Sequence, residues 1–556
     1  MTEGPDGVAE PATERATDRD QVPAPIRAIL EAEGLDPRFG PEVLAEAAAL
    51  VAAPGLDDPA LEDQESIPYV TVDGEGTRDL DQALHLERDD AADNPGGFRI
   101  RYAIADAAHY VRPGSALFAE AMRRGTSFYL PGLSVPMLPR ALSEGAVSLN
   151  AGVPRRALVF DMRVDASGHC LGTTMRRARI RSRAKLTFEG VQGLLDDPAR
   201  SPLAGAEYTD SLLLLPVVGG LRQLEAAARQ VIRFHREEIH VGLDGDAFTV
   251  LARIRHAVEK HNEQLSLLCN AEGGRLLCAV VGDETSHAAQ AIYRVHPAPP
   301  PERLVELEAQ LAELVAKHGL DQAWAWHPER ALSEWVEALP ALATDPRLAR
   351  IARAVERQAV MVNVRSVFSA EPGEHFGVGV EPYARFSAPM REIVGVFVHK
   401  EAVELLGMAS RRPAAEDAAL RDQVLASANA ARERQRRLID LTNRRILDQI
   451  FAPDAALPRA RRPIRAGTIM GVSSSKIYVT LDEPPIDVKV YVADAGRALG
   501  GMWLTLSPGR AALLGDDGAP IFTVGDTIEL RLVRRDEPRD RWVFEPLRPP
   551  PGDGRP

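Results

Sequence analysis

Cysteine is scarce in this 556-residue chain: only Cys170, Cys269 and Cys278 occur, with no C-x-x-C pair. That excludes a disulfide scaffold and a thiolate zinc site, and it suits a reducing, cytoplasmic compartment. A continuous apolar run of about 18 residues is also lacking. The longest candidate, residues 212–218, is short and interrupted by Pro216, so no membrane span is expected. The N-terminus has no basic stretch followed by an apolar one, so no secretory leader is expected. Nor is there an excess of positive charge. A net charge of −14 argues against a protein that coats nucleic acid without specificity. It leaves room for one that threads a strand through a locally basic channel to an acidic site.

What is present calls for two to four domains, with 45% hydrophobic residues to build their cores. Residues 1–23 are polar and read as a disordered tail. Residues 24–66 read as a small helical module and linker, with Ile26, Ile29, Leu30 and then Val43, Leu44, Ala47 at helical spacing. From 67 to about 182, strands are expected near 67–72, 83–87, 98–105, 156–164 and 172–180, with a helix near 115–124. Helices follow near 209–238, 255–281, 302–318, 347–367, 389–407 and 415–451. Residues 462–548 carry five short strands separated by turn signals, which suits a small closed barrel of the OB type. Three arginine-rich runs, at 176–185, 432–445 and 459–465, are either solvated faces or binding patches.

The densest chemistry lies in Thr71-Val-Asp-Gly-Glu-Gly-Thr-Arg-Asp-Leu-Asp-Gln82. Asp73, Asp79 and Asp81 surround a glycine-containing loop at the junction of two expected strands. Carboxylates so close repel one another unless a cation lies between them, and hard oxygen ligands suit magnesium or manganese. Asp79 and Asp81, two apart, point the same way in an extended segment. The alternative is an acidic surface hairpin.

Residues 71–83 resemble the metal-binding signature of the RNB family, the catalytic domain of ribonuclease II and ribonuclease R. The likeness continues in order through Tyr102-Ala-Ile-Ala-Asp-Ala-Ala-His-Tyr-Val111, residues 125–139, Ser148-Leu-Asn150, Ala184-Lys-Leu-Thr-Phe188, Ile292-Tyr-Arg-Val-His296 and residues 376–391 with His399. It covers about residues 67–450. The resemblance implies an α+β fold: a mixed sheet with surrounding helices over 67–451, a short helical N-terminal region and the OB-type barrel over 462–548. About 66 residues precede the catalytic region, fewer than two cold-shock barrels need, so a helical module of helix-turn-helix type is expected there.

The resemblance also implies roles. Asp73, Asp79, Asp81 and, in the fourth position, Gln82 would hold Mg2+, with Mn2+ as the alternative. Tyr129 would pack on the 3′-terminal base, unless it is a core aromatic. Arg391 would grip a phosphate, and Asp81 and Arg391 would carry catalysis. The chain departs from the family pattern at Gln82, which brings no charge. It departs again at Glu392, where the family is basic, at Gly395, where it has an aspartate, and at Gln290, where a second stacking aromatic is expected. Asp106 and His109 read as structural, and His256 and His261 as surface residues. Within 462–548, Gly467, Gly471, residues 477–482 and Val524-Gly-Asp526 resemble an OB domain of ribosomal-protein type that binds single-stranded RNA. Tyr478 is its candidate base-stacking residue, or an ordinary barrel aromatic.

The expected function is metal-dependent 3′→5′ exoribonuclease action on single-stranded RNA in the cytoplasm, releasing nucleoside 5′-monophosphates, with no membrane association and no protein partner assigned. Two rivals are a catalytically weak RNB-like RNA-binding protein of an RNA-processing assembly and a structural partner that docks through its acidic surface.

Overall fold

The computed structural model describes residues 22–89, 91–229, 238–245, 247–253, 255–278 and 289–547. The chain divides into two compact units. One comprises residues 1–228, 255–296 and 366–440; the other comprises 229–254, 297–365 and 441–556.

The first unit is built on strands β1 (Glu62–Asp63), β2 (Val70–Asp73), β3 (Gln82–Asp89), β4 (Gly97–Ala105), β5 (Phe128–Leu130), β6 (Leu133–Val135), β7 (Pro154–Val164), β8 (Cys170–Arg181) and β9 (Ala184–Thr187). Seven of them form one mixed sheet in the order β1-β8-β7-β4-β3-β2-β9, while β5 and β6 pair as a separate hairpin. β1–β8 and β2–β9 are parallel, and β3, β4, β7 and β8 pair antiparallel. One face of the central strands is apolar and packs into the core, while the other carries Arg99, Arg101, Asp161 and Arg163 at one end. Ile100, Tyr102, Ile104, Leu158, Phe160 and Met162 are all buried.

At the sheet margin the period-2 pattern is clean: in β8, Ala178 and Ile180 point into the core while Arg177, Arg179 and Arg181 alternate with them. Those arginines meet carboxylates of the same unit. Arg177 pairs with Asp106 at 2.9 Å, Arg179 with Asp63 at 2.9 Å and Arg181 with Glu65 at 2.5 Å. Within the first basic run, Arg179 and Arg181 thus hold the 62–65 segment and Arg177 holds Asp106. Asp106, buried and bonded to both Arg156 and Arg177, has the structural role its sequence suggested.

Helix Thr209–Ala228 lies against β3, where the Leu86 N–H donates to Ser211 Oγ at 2.8 Å. By length and composition it is apolar enough to cross a membrane, a property the sequence reading of 212–218 did not see. Its Leu212, Leu215 and Val218 belong to the same core as Leu84 and Leu86. His261, expected at the surface, instead packs on this helix: a Cβ at Gly219 would stand 2.5 Å from that of His261. The N-terminal helices Ala24–Ala32 and Pro41–Ala52 are followed by a linker that Arg156 ties down through Gly55 O and Asp58. Buried Arg124 stacks 3.9 Å over the Phe39 ring and donates to Arg38 O at 2.7 Å. The expected tail 1–23 lies, except for its last two residues, outside the described residues.

In the second unit, strands Ile464–Val472, Lys476–Leu481, Asp487–Tyr491, Thr527–Asp536 and Arg541–Pro546 form a five-stranded sheet. The first strand is central, paired with the second and the fourth, and the third and fifth lie at the edges. Helix Val492–Ala498 follows the third strand, as in an OB-type fold, and a three-stranded insertion comes before the fourth. The third basic run is occupied within this unit: Arg465 pairs with Asp454 at 2.8 Å, and Arg459 pairs with Glu545.

Candidate active site

The acidic loop bridges the end of β2 and the start of β3. Asp73 Oδ1 accepts from the Gly74 N–H at 2.6 Å and from Thr77 Oγ1 at 2.9 Å, which closes the loop on itself. Ser148 fixes the far side. Its hydroxyl accepts the Leu80 N–H at 3.0 Å and donates to Arg78 O at 2.8 Å. The sequence showed Ser148 only as part of a motif; its contacts show that it sets the path leading into Asp81.

A second segment, residues 383–391, comes to meet this loop. The Met390 N–H donates to Asp81 Oδ1 at 3.0 Å, and Arg391 Nε donates to Asp81 Oδ2 at 2.7 Å. A third segment clamps Arg391 itself: its carbonyl accepts from the Ser127 N–H at 2.9 Å and Thr126 Oγ1 at 2.8 Å. Helix Ala116–Arg124 delivers that segment, ending at Gly125 with φ 73°. A side chain there would be strained by the positive φ, and its Cβ would stand 2.7 Å from that of Ala431. Tyr129 follows on β5, 51% exposed between buried Phe128 and Leu130, with its hydroxyl 3.4 Å from Asp79 Oδ2. It is therefore not a core aromatic.

Gln82 takes a bridging position. Its Oε1 accepts the Tyr102 hydroxyl and its Nε2 donates to the Ser387 carbonyl. Both amide atoms thus tie β4 to the 383–391 segment.

Sequence reasoning missed Asn270, on helix Ala257–Cys278. It is fully buried. Its Oδ1 accepts the N–H groups of Phe386 and Ser387 at 2.8 and 2.9 Å, and its Nδ2 donates to Tyr383 Oη and Ser387 Oγ at 2.9 Å each. An asparagine inside a helix is unfavourable by propensity, and that was its one readable signal. His399 Nε2 bonds Phe386 O at 2.8 Å, so the segment is held from two sides. Gly395 is explained as well: a Cβ there would sit 2.7 Å from Pro389 Cα, leaving no room for the family aspartate.

The electrostatics follow from burial and crowding. Burial pushes the Asp81 carboxyl up to about 6 against the pull of Arg391 and the Met390 N–H, and the Asp79 charge adds to the push. Asp79 is raised by burial first, with Asp73 adding repulsion. Three carboxylates with one guanidinium among them leave negative charge uncompensated, and a hard divalent cation would relieve it. The donor set fits such an ion. A tighter carboxylate group lies elsewhere. Among the described residues, Glu401, Glu404 and Asp417 bring their oxygens within 4.8 Å of one another. Lys400 Nζ stands 2.7, 3.0 and 2.8 Å from them and already supplies the positive charge. Gln290 belongs to this cluster, its N–H donating to Glu401 at 2.7 Å. Tyr478 lies in the second unit, half-buried on strand Lys476–Leu481.

The RNB domain profile matches residues 61–406. Ribonuclease R of Escherichia coli (strain K12) is 27% identical over 495 residues, spanning 85% of this chain and 56% of that protein. Exoribonuclease 2 of Edwardsiella piscicida is 29% identical over 407 residues, 71% of this chain and 58% of that one. The chain thus spans a little over half the length of these relatives. The structure of Mycoplasma genitalium RNase R in complex with ribose-methylated single-stranded RNA superposes with a TM-score of 0.79 at 20% identity, covering 94% of this chain and 77% of that one. With three distant segments converging on the carboxylate loop and the domain profile spanning them, this chain belongs to the RNB domain family.

Proposed function

We propose that this chain is a metal-dependent 3′→5′ exoribonuclease that hydrolyses single-stranded RNA to nucleoside 5′-monophosphates. The observation that carries the reading is the Asp81–Arg391 pair, drawn from positions 310 residues apart to the edge of a three-carboxylate loop. The names of the relatives, ribonuclease R and exoribonuclease 2, support it.

Asp73, Asp79 and Asp81 would hold the cation, magnesium in the first instance and manganese as the alternative. When bound, it lowers the pKa of an attacking water and offsets charge developing on the phosphate. The protein does the rest. Arg391 uses Nε to hold Asp81, and its Nη groups grip phosphate oxygens more strongly as charge grows on them in the transition state. Tyr129, exposed beside Asp79, stacks on the terminal base and sets which phosphodiester reaches the carboxylates. Gln82, Asn270 and His399 keep the two segments in register. Residues 67–451 would form the catalytic domain, 24–66 a helical module, and 462–548 a barrel that holds upstream RNA, with Tyr478 as a stacking face. The scarcity of cysteine fits a cytoplasmic setting.

A second reading is a catalytically weak RNA-binding relative, favoured by Gln82, Glu392 and Gly395. Incubation with a 3′-extended single strand, in magnesium and in chelator, separates the two. Mononucleotides released only with the metal support the exonuclease. Binding without release supports the relative.

A further inference from the structure

A cavity of about 490 Å3 opens beside Tyr129. Its wall carries three guanidinium groups, Arg294, Arg385 and Arg432, and one carboxylate, Glu392. Arg294 and Arg432 are fixed without any acid. Arg294 Nε and Nη2 donate to Ser366 Oγ at 3.1 and 3.0 Å, and Arg432 donates to the Ser366 carbonyl. Both lie over the buried Phe368 ring, at 4.9 and 5.7 Å from its centroid. Among the described residues neither is paired with a carboxylate. Burial first, and then the Arg432 charge, pull the Arg294 guanidinium down to about 10, against the smaller opposing pull of the Glu392 carboxylate on the same wall. Arg385 differs: its Nε stands 3.3 Å from each Glu392 oxygen.

We propose that Arg294 and Arg432 form a phosphate-binding pair for the strand entering past Tyr129, and that Glu392 occupies on Arg385 the place of a further phosphate. Glu392 is then a specificity-determining residue: it withholds one of three guanidinium groups from the substrate and loosens the grip on upstream backbone. The ligand class is a single-stranded polynucleotide, because guanidinium groups gathered on one cavity wall suit phosphate oxygens and the exposed Tyr129 face on the same wall accepts a base. The inference rests on the exoribonuclease reading for the direction in which the strand runs, and on the cavity alone for its chemistry.

Fluorescence anisotropy with a labelled short oligoadenylate, in chelator so that the strand stays intact and over a range of salt, tests it. Glu392→Gln should bind about tenfold more tightly, the effect of one charge-assisted contact regained. Its salt dependence should steepen by about 0.7 in the slope of log affinity against log salt, one phosphate more on a single strand. Arg294→Gln and Arg432→Gln should each weaken binding about tenfold and make the slope shallower by about the same amount. Unchanged affinity and slope for Glu392→Gln overturn the assignment of Glu392. Arginine variants that lower the melting temperature but keep the wild-type slope overturn the phosphate pair. If the wild type releases no mononucleotide while the salt slopes shift as stated, the exonuclease reading fails and the phosphate site stands. If release is normal and the slopes do not move, the phosphate site alone fails.

Discussion

Asp81 is the residue on which the site turns, because both of its oxygens are engaged by a segment from far along the chain. Asp81→Asn keeps an acceptor for the Met390 N–H but loses the charge and sets an amide against Arg391 Nε. RNA affinity should stay near wild type while turnover falls by about two orders of magnitude or more, the pattern of an interaction made in the transition state. Single-turnover rates beside equilibrium binding check this, and a wild-type rate would remove Asp81 from the reaction. Gln82 leads to the opposite expectation. Gln82→Asp removes the donor to the Ser387 carbonyl, so stability should drop by about 1–3 kcal/mol, while the metal concentration for half-maximal activity stays put. A tighter metal requirement with an unchanged melt would return Gln82 to the ligand set. That Asp73, Asp79 and Asp81 crowd one loop was readable from their spacing, whereas Arg391 was singled out only by the resemblance of residues 376–391 to the family. The part played by Gln82 was not, since an amide in an acidic motif gives no sign of the distant carbonyl it will meet.

At the scale of elements, the 383–391 segment has little regular structure, yet it carries the Met390 N–H and the Arg391 side chain. What shapes it is Asn270, 117 residues away from Ser387. Asn270→Ala strands two buried N–H groups and should cost about 2–6 kcal/mol. It should also cut kcat by more than it changes KM, because misplacing a catalytic group harms the transition state most. Asn270→Asp keeps an acceptor for both N–H groups and should recover part of the loss. Equal turnover for the alanine variant and the wild type, or no advantage of aspartate over alanine, would contradict the role. Strands and helices were readable from periodicity: 98–105, 156–164 and 302–318 come out within a residue or two. The two-residue strand β1 was not, because its stability comes from pairing with β8 and from Asp63 meeting Arg179. Nothing in Glu62-Asp63 alone favours extension.

The whole molecule carries an acid-side liability. His109, His375 and His399 are each pulled down to about 4, by burial in the first place. The unfolded chain takes up protons at these positions below about 6.5, whereas the native protein leaves them neutral down to about 4. The unfolded state therefore binds more protons in that window, and stability should be flat above it and fall as pH drops from about 6.5 to about 4. Asp81, raised to about 6, works the other way and offsets part of the fall. His399 is fully buried and alone accounts for up to about 1.4 kcal/mol per pH unit. Urea titrations at several pH values check this, and a flat profile down to pH 5 would contradict it. Sequence composition could not reveal this, because burial of the three rings is a property of the finished fold.

The 310-residue separation between Asp81 and Arg391 has a consequence for how the protein comes into being. Helices and the β3–β4 hairpin close short loops and can form early, but the pair cannot meet until the chain between them has been arranged. On a ribosome, residues 71–82 emerge long before their partners. The nascent chain thus carries an acidic loop with no Arg391 to answer it, and the Asp81–Arg391 pair that joins the two segments can close only when the last part of this unit has been made.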